Sequence, residues 1–431
     1  MTAADQRRSS WRNWSGSATA RPRELLTPRD EQEVVRAVAA ATEVRVTGAG
    51  HSFAPLCTTD GTLLDLRLLA GQLEVLPEQG RVWAPAGWSI AKLTHALWEH
   101  GYSLANQGDV NPQAIAGALA TGTHGTGAEL GSLSTLVHAF RLLLADGTVV
   151  QCSRDEHPEL FQAQRLSLGL CGVVLAVCLE VMPAYRLEER IVAMPLAEVV
   201  QRFAELATRS RHVEFWAFPY ADSVILKTLH PTDDLGRFKQ TPAYEELALK
   251  LVCEVSAHWP AATRAAQRAV MRLVTPSRRV GPAYQIFPSE RRVRFEEMEY
   301  ELPRTAAMAA LQEAISWVRR ERAALSFPFE FRWTAGDDIW LSPFNRGPCA
   351  SVSTHQYVEQ PWRELFSSLE PIFRAHAGRP HWGKRHTLRA RDVFELYPDA
   401  ARFCETQTRY DPQGKFVNRY LRELFALPEA R

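Results

Sequence analysis

The chain has 431 residues, enough for two or three domains around a large core. Fifty basic side chains face forty-nine acidic ones, which gives no overall attraction to nucleic acid or to an anionic membrane. The 46% hydrophobic and 23% charged content is that of a soluble globular protein, and the longest uncharged apolar stretch, between Arg165 and Glu180, is too short to span a bilayer.

Arg7 and Arg8 have no apolar segment behind them, which argues against a secretory or twin-arginine signal. The seven cysteines are odd in number, scattered and free of any CxxC pair. That pattern points to reduced thiols in a cytoplasmic protein rather than to a disulfide or zinc framework.

In chain order, Thr27-Pro28-Arg29-Asp30 reads as a helix entry, with Thr27 as cap, Pro28 in the first turn and Asp30 completing a capping box. Val34, Val35 and Val38 supply the apolar face. A strand at Val44 to Thr47 feeds the turn VTGAGHSFAP, and Leu63 to Leu68 reads as another strand. Ser89 to His100 is predicted as a helix, with Ile90, Leu93 and Leu97 on one side and Gly101 as its stop. Asn111-Pro112 is expected to open a short helix through Ala120, which runs into TGTHGTG at 121–127. Asp146-Gly147 marks a hairpin, and LGLCG at 168–172 leads into the buried strand VVLAVCLEV.

From about Tyr185 the character changes. Strand-like HVEFWAF and SVILKTLH mix with amphipathic helices around 244–256, 261–273 and 305–325. Glycine, histidine and lysine gather again in RPHWGKRH, and FVNRYLRELF ends the chain as a helix. The layout is an α+β domain over 1–184, an inserted domain over 185–378, and a return to the first over 379–431.

Four stretches carry chemistry. GAGHS follows a strand, but Pro55 and the TTDG at 58–61 break any following helix, so a Rossmann reading fails. Phosphate there would be held by an open nest of backbone N–H groups. TGTHGTG holds three glycines, three threonines and one histidine, and suits a loop around an extended polar ligand. With Asn111 as cap, the preceding helix could also turn its dipole toward an anion. LGLCG is either a third contact or a site of close strand packing.

In FPFEFRW, alternation puts Glu330 and Arg332 on one face, about 7 Å apart, and Phe329, Phe331 and Trp333 on the other. Two readings stay open, a structural ion pair and a clamp for a polyol. HWGKRH offers Lys384 beside a glycine, either reaching an anionic centre or forming a basic surface loop. His381 and His386 lie five apart, which does not match helical metal spacing, so no metal is expected.

Together VTGAGHSF, GDVNPQAIAGALATGTHGTG, LGLCGVVLAVCLEV, FEFR and HWGK resemble the vanillyl-alcohol oxidase family of flavoenzymes. Within it the chain is similar to the sugar-lactone oxidases and the alditol oxidases, nearly end to end. The resemblance implies an N-terminal FAD-binding domain and an α+β cap that supplies substrate contacts. It implies FAD along Thr47, Gly48, Ala49, Gly50, His51 and Ser52, with His51 bonded to the 8α-methyl carbon. The second loop would contribute Gly117, Thr121, Gly122, Thr123, His124, Gly125 and Gly127, followed by Gly172 and Val173. ANQGDV has no cysteine, so a single link is expected.

By the same resemblance Glu330 and Arg332 hold substrate, Lys384 stabilises the reduced flavin, and Gly108 admits oxygen. Asp109 stands where alditol oxidases have serine, which favours an aldono-1,4-lactone of the gulonolactone or arabinonolactone type over xylitol or sorbitol. The expected products are the oxidised sugar and hydrogen peroxide. Two rival readings are a dehydrogenase with another acceptor and a flavin-binding module without catalysis.

Overall fold

The structure, a computed structural model, describes residues 10–236, 243–289 and 291–428. Near the start, helix Glu31–Ala40 begins later than expected. Asp30 is its cap, accepting from Glu33 N at 2.8 Å, and the Glu33 carboxylate accepts from Arg29 N at 2.7 Å. The start is therefore set by Asp30 and Glu33, not by Thr27 and Asp30: Asp30 accepts one free helix N–H while Glu33 holds the residue before the cap. This helix crosses over a three-stranded parallel sheet ordered Glu24–Leu26, Thr62–Asp65, Val44–Thr47. The strand expected at Leu63 to Leu68 stops at Asp65, whose carboxylate caps a 3-10 turn over Leu66–Leu68.

A second, antiparallel sheet follows in the order Val149–Ser153, Val137–Leu143, Val173–Glu180, Arg81–Pro85, Glu74–Leu76. Helix Ile90–Glu99 packs on it through Ile90, Leu93 and Leu97, all fully buried. The short helix before TGTHGTG is Ile115–Thr121 with Ala114 at its cap, and Asn111 does not cap it. The reason lies in the neighbouring helix: Asn111 O accepts from Ala91 N at 2.9 Å and Gln113 O from Ile90 N at 2.8 Å. These bonds hold 111–113 outside the helix.

The cap is an eight-stranded sheet ordered Ser277–Pro282, Arg186–Pro195, Ser223–Pro231, His212–Ala217, Phe329–Thr334, Cys349–Tyr357, Phe295–Pro303, Arg379–Pro380. Helices Leu196–Arg209, Arg304–Glu321 and Trp362–Ala375 cover one face, with Phe203, Leu311 and Phe373 in one core with Phe215 and Phe331. Phe331 stacks on Phe215 with centroids 5.1 Å apart. The other face turns toward the first two sheets. Bonds that fasten it there include Gly127 N to Trp333 O at 2.8 Å and His212 Nδ1 to Thr126 O at 2.7 Å.

Beyond Pro380 the chain returns. Trp382, Val393, Phe403, Leu421 and Phe425 join one core with Val82, Leu93 and Phe140. Buried Arg45 ties the return down, donating to Leu56 O at 2.9 Å, Leu168 O at 2.6 Å, Gly169 O at 3.0 Å and also to Phe416 O. Among the described residues no helix is long and apolar enough to cross a membrane.

Candidate active site

The turn after strand Val44–Thr47 is held from both sides. Gly50 takes φ 69°, open to glycine at little cost, and its carbonyl accepts from Trp14 N at 2.8 Å. Trp11 Nε1 donates to Thr47 Oγ1 at 3.0 Å, and Asn13 Nδ2 to Ser52 O at 3.1 Å. From the far end of the chain, Gly383 O accepts from Phe53 N at 2.7 Å. The Trp14 ring stacks on His51 at 5.5 Å. Burial, helped by the Lys384 charge, lowers the His51 pKa to about 4, so its imidazole is neutral at physiological pH.

Nothing in the polar N-terminal stretch signals that Trp11, Asn13 and Trp14 brace this turn. The contact spans more than thirty positions and has no local pattern.

TGTHGTG is shaped by packing as well as by space. Gly122 ends its helix in the left-handed region at φ 77°. A side chain on Gly125 would strike Gln107 O and Asn106 Oδ1, and one on Gly48 would come 2.9 Å from Cβ of Ala114, the cap of helix Ile115–Thr121. Gly172 faces Leu143 O, 2.6 Å from where a Cβ would lie, so strand packing accounts for it, and Val173 begins the strand behind. Gly117 has open space beside it.

His124 is buried. Its Nε2 is 3.2 Å from Glu299 Oε1 and 3.4 Å from Glu301 Oε1. Burial opposes its charge, yet Glu301 and Glu299 outweigh burial and raise its pKa to about 9.

The cap contributes a ladder of buried charge. On strand Phe329–Thr334, Arg332 Nη1 reaches Glu330 Oε1 at 3.2 Å and its Nη2 reaches Glu299 at 3.0 Å. On strand Phe295–Pro303, Glu297, Glu299 and Glu301 share one side and are at most 4% exposed. Lys384 pairs with Glu297 and lies 3.7 Å from Glu299, and His355 Nε2 is 3.3 Å from Glu297. The HWGK loop is therefore interior: His381 and Trp382 are buried, and His381 Nδ1 accepts from Gly383 N at 3.0 Å. Burial takes the His381 pKa down to about 3.

At the other end of the ladder Asp109 meets Arg291 at 3.2 Å and Lys227 at 3.7 Å, and Lys227 meets Glu214 at 2.9 Å. Burial pushes the Asp109 carboxyl up, but Lys227, Arg291 and Arg332 together bring it below its ordinary value.

One cleft collects these groups. His51, Ser52, Thr121, Thr123, His124 and Lys384 line it, with Gly108 and Asp109 on one wall and Glu330 and Arg332 on another. Thr47, Gly48, Ala49, Gly50, Gly117, Gly122, Gly125, Gly127, Gly172 and Val173 do not line the cleft itself. Arg291, Glu297, Glu299, His355 and His381 line it too, and sequence reasoning did not single them out for the site. The glutamates had left a signal in FEEMEYELP, where Glu297, Glu299 and Glu301 alternate with Met298, Tyr300 and Leu302. A wider surface groove, between helix Glu31–Ala40 and strand Glu24–Leu26, contains none of these groups.

The donor set suits a flavin dinucleotide. Gln113 Oε1 is buried at the cleft wall without a hydrogen-bond partner, as are Asn106 Nδ2 and Gln107 Nε2 beside TGTHGTG. Small residues leave room along both loops, and a neutral imidazole and an ammonium face the same space.

Comparison with known proteins agrees. Residues 177–424 match the family described as D-arabinono-1,4-lactone oxidase, and residues 22–153 match an FAD binding domain. The chain is 35% identical over 427 residues to L-gulono-1,4-lactone dehydrogenase of Mycobacterium tuberculosis, covering 96% of this chain and 98% of that one. It is 30% identical to L-gulonolactone oxidase of Bos taurus and 30% identical to alditol oxidase of a Streptomyces species, each with 96% and 98% coverage. The fold is that of cholesterol oxidase from Brevibacterium sterolicum, with a TM-score of 0.82, 17% identity and 96% of each chain covered. The chain belongs to the D-arabinono-1,4-lactone oxidase family of FAD-dependent oxidoreductases.

Proposed function

We propose that this enzyme oxidises a carbinol of an aldono-1,4-lactone of the gulonolactone or arabinonolactone type, with FAD tethered to His51 and oxygen as acceptor. The observation that carries the reading is the shared cleft of His51, Asp109, Glu330, Arg332 and Lys384, drawn from four distant stretches of chain. When bound, the flavin supplies the hydride acceptor. The protein supplies position and charge.

Arg332, fixed by Glu330 and Glu299, donates to the reacting oxygen and draws charge onto it. Glu330 accepts from neighbouring hydroxyls; charge-assisted bonds of this kind contribute roughly 1.5–3 kcal/mol each. Asp109, kept ionised by its cations, accepts from a further hydroxyl. Lys384 brings an ammonium to the place where negative charge grows, with Glu297 holding it. The His51 imidazole, neutral and stacked on Trp14, has a free electron pair for bond formation to the flavin.

The scattered, odd-numbered cysteines with no CxxC pair are the ground on which we place the enzyme in the cytoplasm.

Anaerobic mixing with aldonolactones, aldoses and alditols tests the substrate. Gulonolactone or arabinonolactone should bleach the flavin fastest, and preference for xylitol or sorbitol would replace the reading with an alditol oxidase. Flavin fluorescence should stay with the acid-denatured polypeptide and leave it in His51→Ala.

A second reading concerns the acceptor, because the mycobacterial relative is a dehydrogenase by name. A methyl group on Gly108 would lie 3.0 Å from His124 O and 3.5 Å from Thr123 Cγ2, so the wall there is as tight as glycine allows. If Gly108 admits oxygen, reduced enzyme reoxidises fast in air and Gly108→Ala slows that step. Slow reoxidation of the wild type would favour the dehydrogenase.

A further inference from the structure

The fate of the hydroxyl proton is open in the scheme above, and the histidines around the cleft are poorly placed to take it. His124 already directs its Nε2 at two carboxylates, which favour its protonated form. His381 Nδ1 already accepts the Gly383 N–H, and His51 is committed to the flavin. His355 directs Nε2 at Glu297, which leaves only Nδ1.

Opposite them, oxygens of Asp109, Glu214 and Glu330 lie within 4.8 Å of one another. They arrive from separate segments: the stretch before helix Ile115–Thr121, strand His212–Ala217 and strand Phe329–Thr334. Glu214 is 1% exposed, and its Oε2 is buried without a hydrogen-bond partner. Lys227, Arg291 and Arg332 already ring these oxygens, at 2.9 Å from Glu214, 3.2 Å from Asp109 and 3.2 Å from Glu330, which disfavours a divalent ion. Three carboxylates so close and so dry share a proton readily.

We propose that the Asp109–Glu214–Glu330 cluster is the proton acceptor of the reaction, loaded through Asp109 or Glu330 at the cleft and holding the proton on Glu214 behind them. The inference rests on the carbinol oxidation argued above. The O–H bond breaks with its proton on a carboxylate, and its electron pair closes the C=O bond as the C–H hydride leaves to the bound flavin. The substrate loses two electrons, the flavin gains a hydride, and the protein gains one proton.

The electrostatics agree. Burial raises the Glu214 carboxyl to about 7, with Asp109 and Glu330 adding to the rise and Lys227 and Arg332 opposing it. Lys227 faces Glu214 from the adjoining strand, and behind Lys227 stands Glu189, itself paired with Arg279 at 2.6 Å.

The test uses holoenzyme and a bleaching lactone without oxygen. In the wild type the rate of bleaching should rise with pH through about 7. Infrared difference spectra should show a carboxylic-acid C=O band growing in as the flavin is reduced. Glu214→Gln should lose both the band and the acid limb and bleach about a hundredfold more slowly, within the range of general-base catalysis.

No such band in the wild type overturns the proposal without any variant. So does a limb that survives Glu214→Gln or vanishes instead in His355→Asn. If no lactone or alditol bleaches the flavin, the functional reading itself has failed; bleaching without the band removes this inference alone.

Discussion

The two faces of the cap sheet are built from the same strands and do opposite work. On Phe295–Pro303 the odd-numbered Glu297, Glu299 and Glu301 share the charged face, from which Glu297 and Glu299 line the cleft, while Met298, Tyr300 and Leu302 sink into the helix-covered core. On Phe329–Thr334 the split is Glu330 and Arg332 against Phe329 and Phe331. A side-chain period of two makes this possible, because neighbours in sequence are separated by the thickness of a sheet. The apolar face supplies stability through burial. The charged face supplies little, since desolvation offsets most of the attraction within a buried ion pair. Its members are held by ion pairs within a strand, between strands and between domains, as in Arg332–Glu330, Arg332–Glu299 and His124–Glu299.

The sharpest way to break that comparison is to remove the central cation. Arg332→Met should leave FAD bound and cut anaerobic bleaching by about 10²–10³-fold, the scale of losing a preorganised donor to developing charge. Bleaching at the wild-type rate would mean that the charged face is not the reacting face. The matching cut on the apolar side is Phe331→Ala, which opens a cavity against Phe203 and Phe215. It should cost about 3–5 kcal/mol in urea unfolding. The folded fraction should bleach as before.

How much of this could be read beforehand depends on range. The GAGHS turn and the Glu330–Arg332 pair are local, each written within one strand and its exit, and His51 and Ser52 of the turn line the cleft with that pair. Glu214 and Lys227 are invisible by the same logic. They join the site because Glu214 pairs across to Arg332 on one side and to Lys227 on the other, and register is a tertiary property. FEEMEYELP shows the alternation but not its meaning: alternate glutamates usually mark a solvated face, and only the cover from His124 and Lys384 makes them interior. Asn111-Pro112 carried a good local signal that failed, since its backbone bonds went to helix Ile90–Glu99.

A smaller effect separates two buried histidines at the domain contact. His124 is held charged by Glu301 and Glu299 against burial, with a pKa raised from 6.5 to about 9. Its stabilising contribution is complete below 6.5 and is lost as pH rises through about 9. For His212 burial dominates, with Thr126 O as its one acceptor, and the pKa falls from 6.5 to about 3. Its contribution is complete above 6.5 and is lost as pH falls toward 3. Urea midpoints across pH should therefore flatten on the alkaline side in His124→Gln and on the acid side in His212→Gln. The same flank flattening in both variants would show that the two sites do not differ in charge.

The smallest predicted change lies between two members of the charged ladder. Met298 follows Glu297 and precedes Glu299, yet it is fully buried in the helix-covered core. Met298→Leu keeps volume and polarity, so it should cost less than about 1.5 kcal/mol and leave bleaching unchanged. Lys384 and Arg332 take their positions from the glutamates on either side. A strong loss of bleaching in a variant that unfolds normally would therefore mean that packing on one face sets side-chain position on the other. In that case the sheet would transmit strain through its thickness, and the separation of stability from chemistry would not hold.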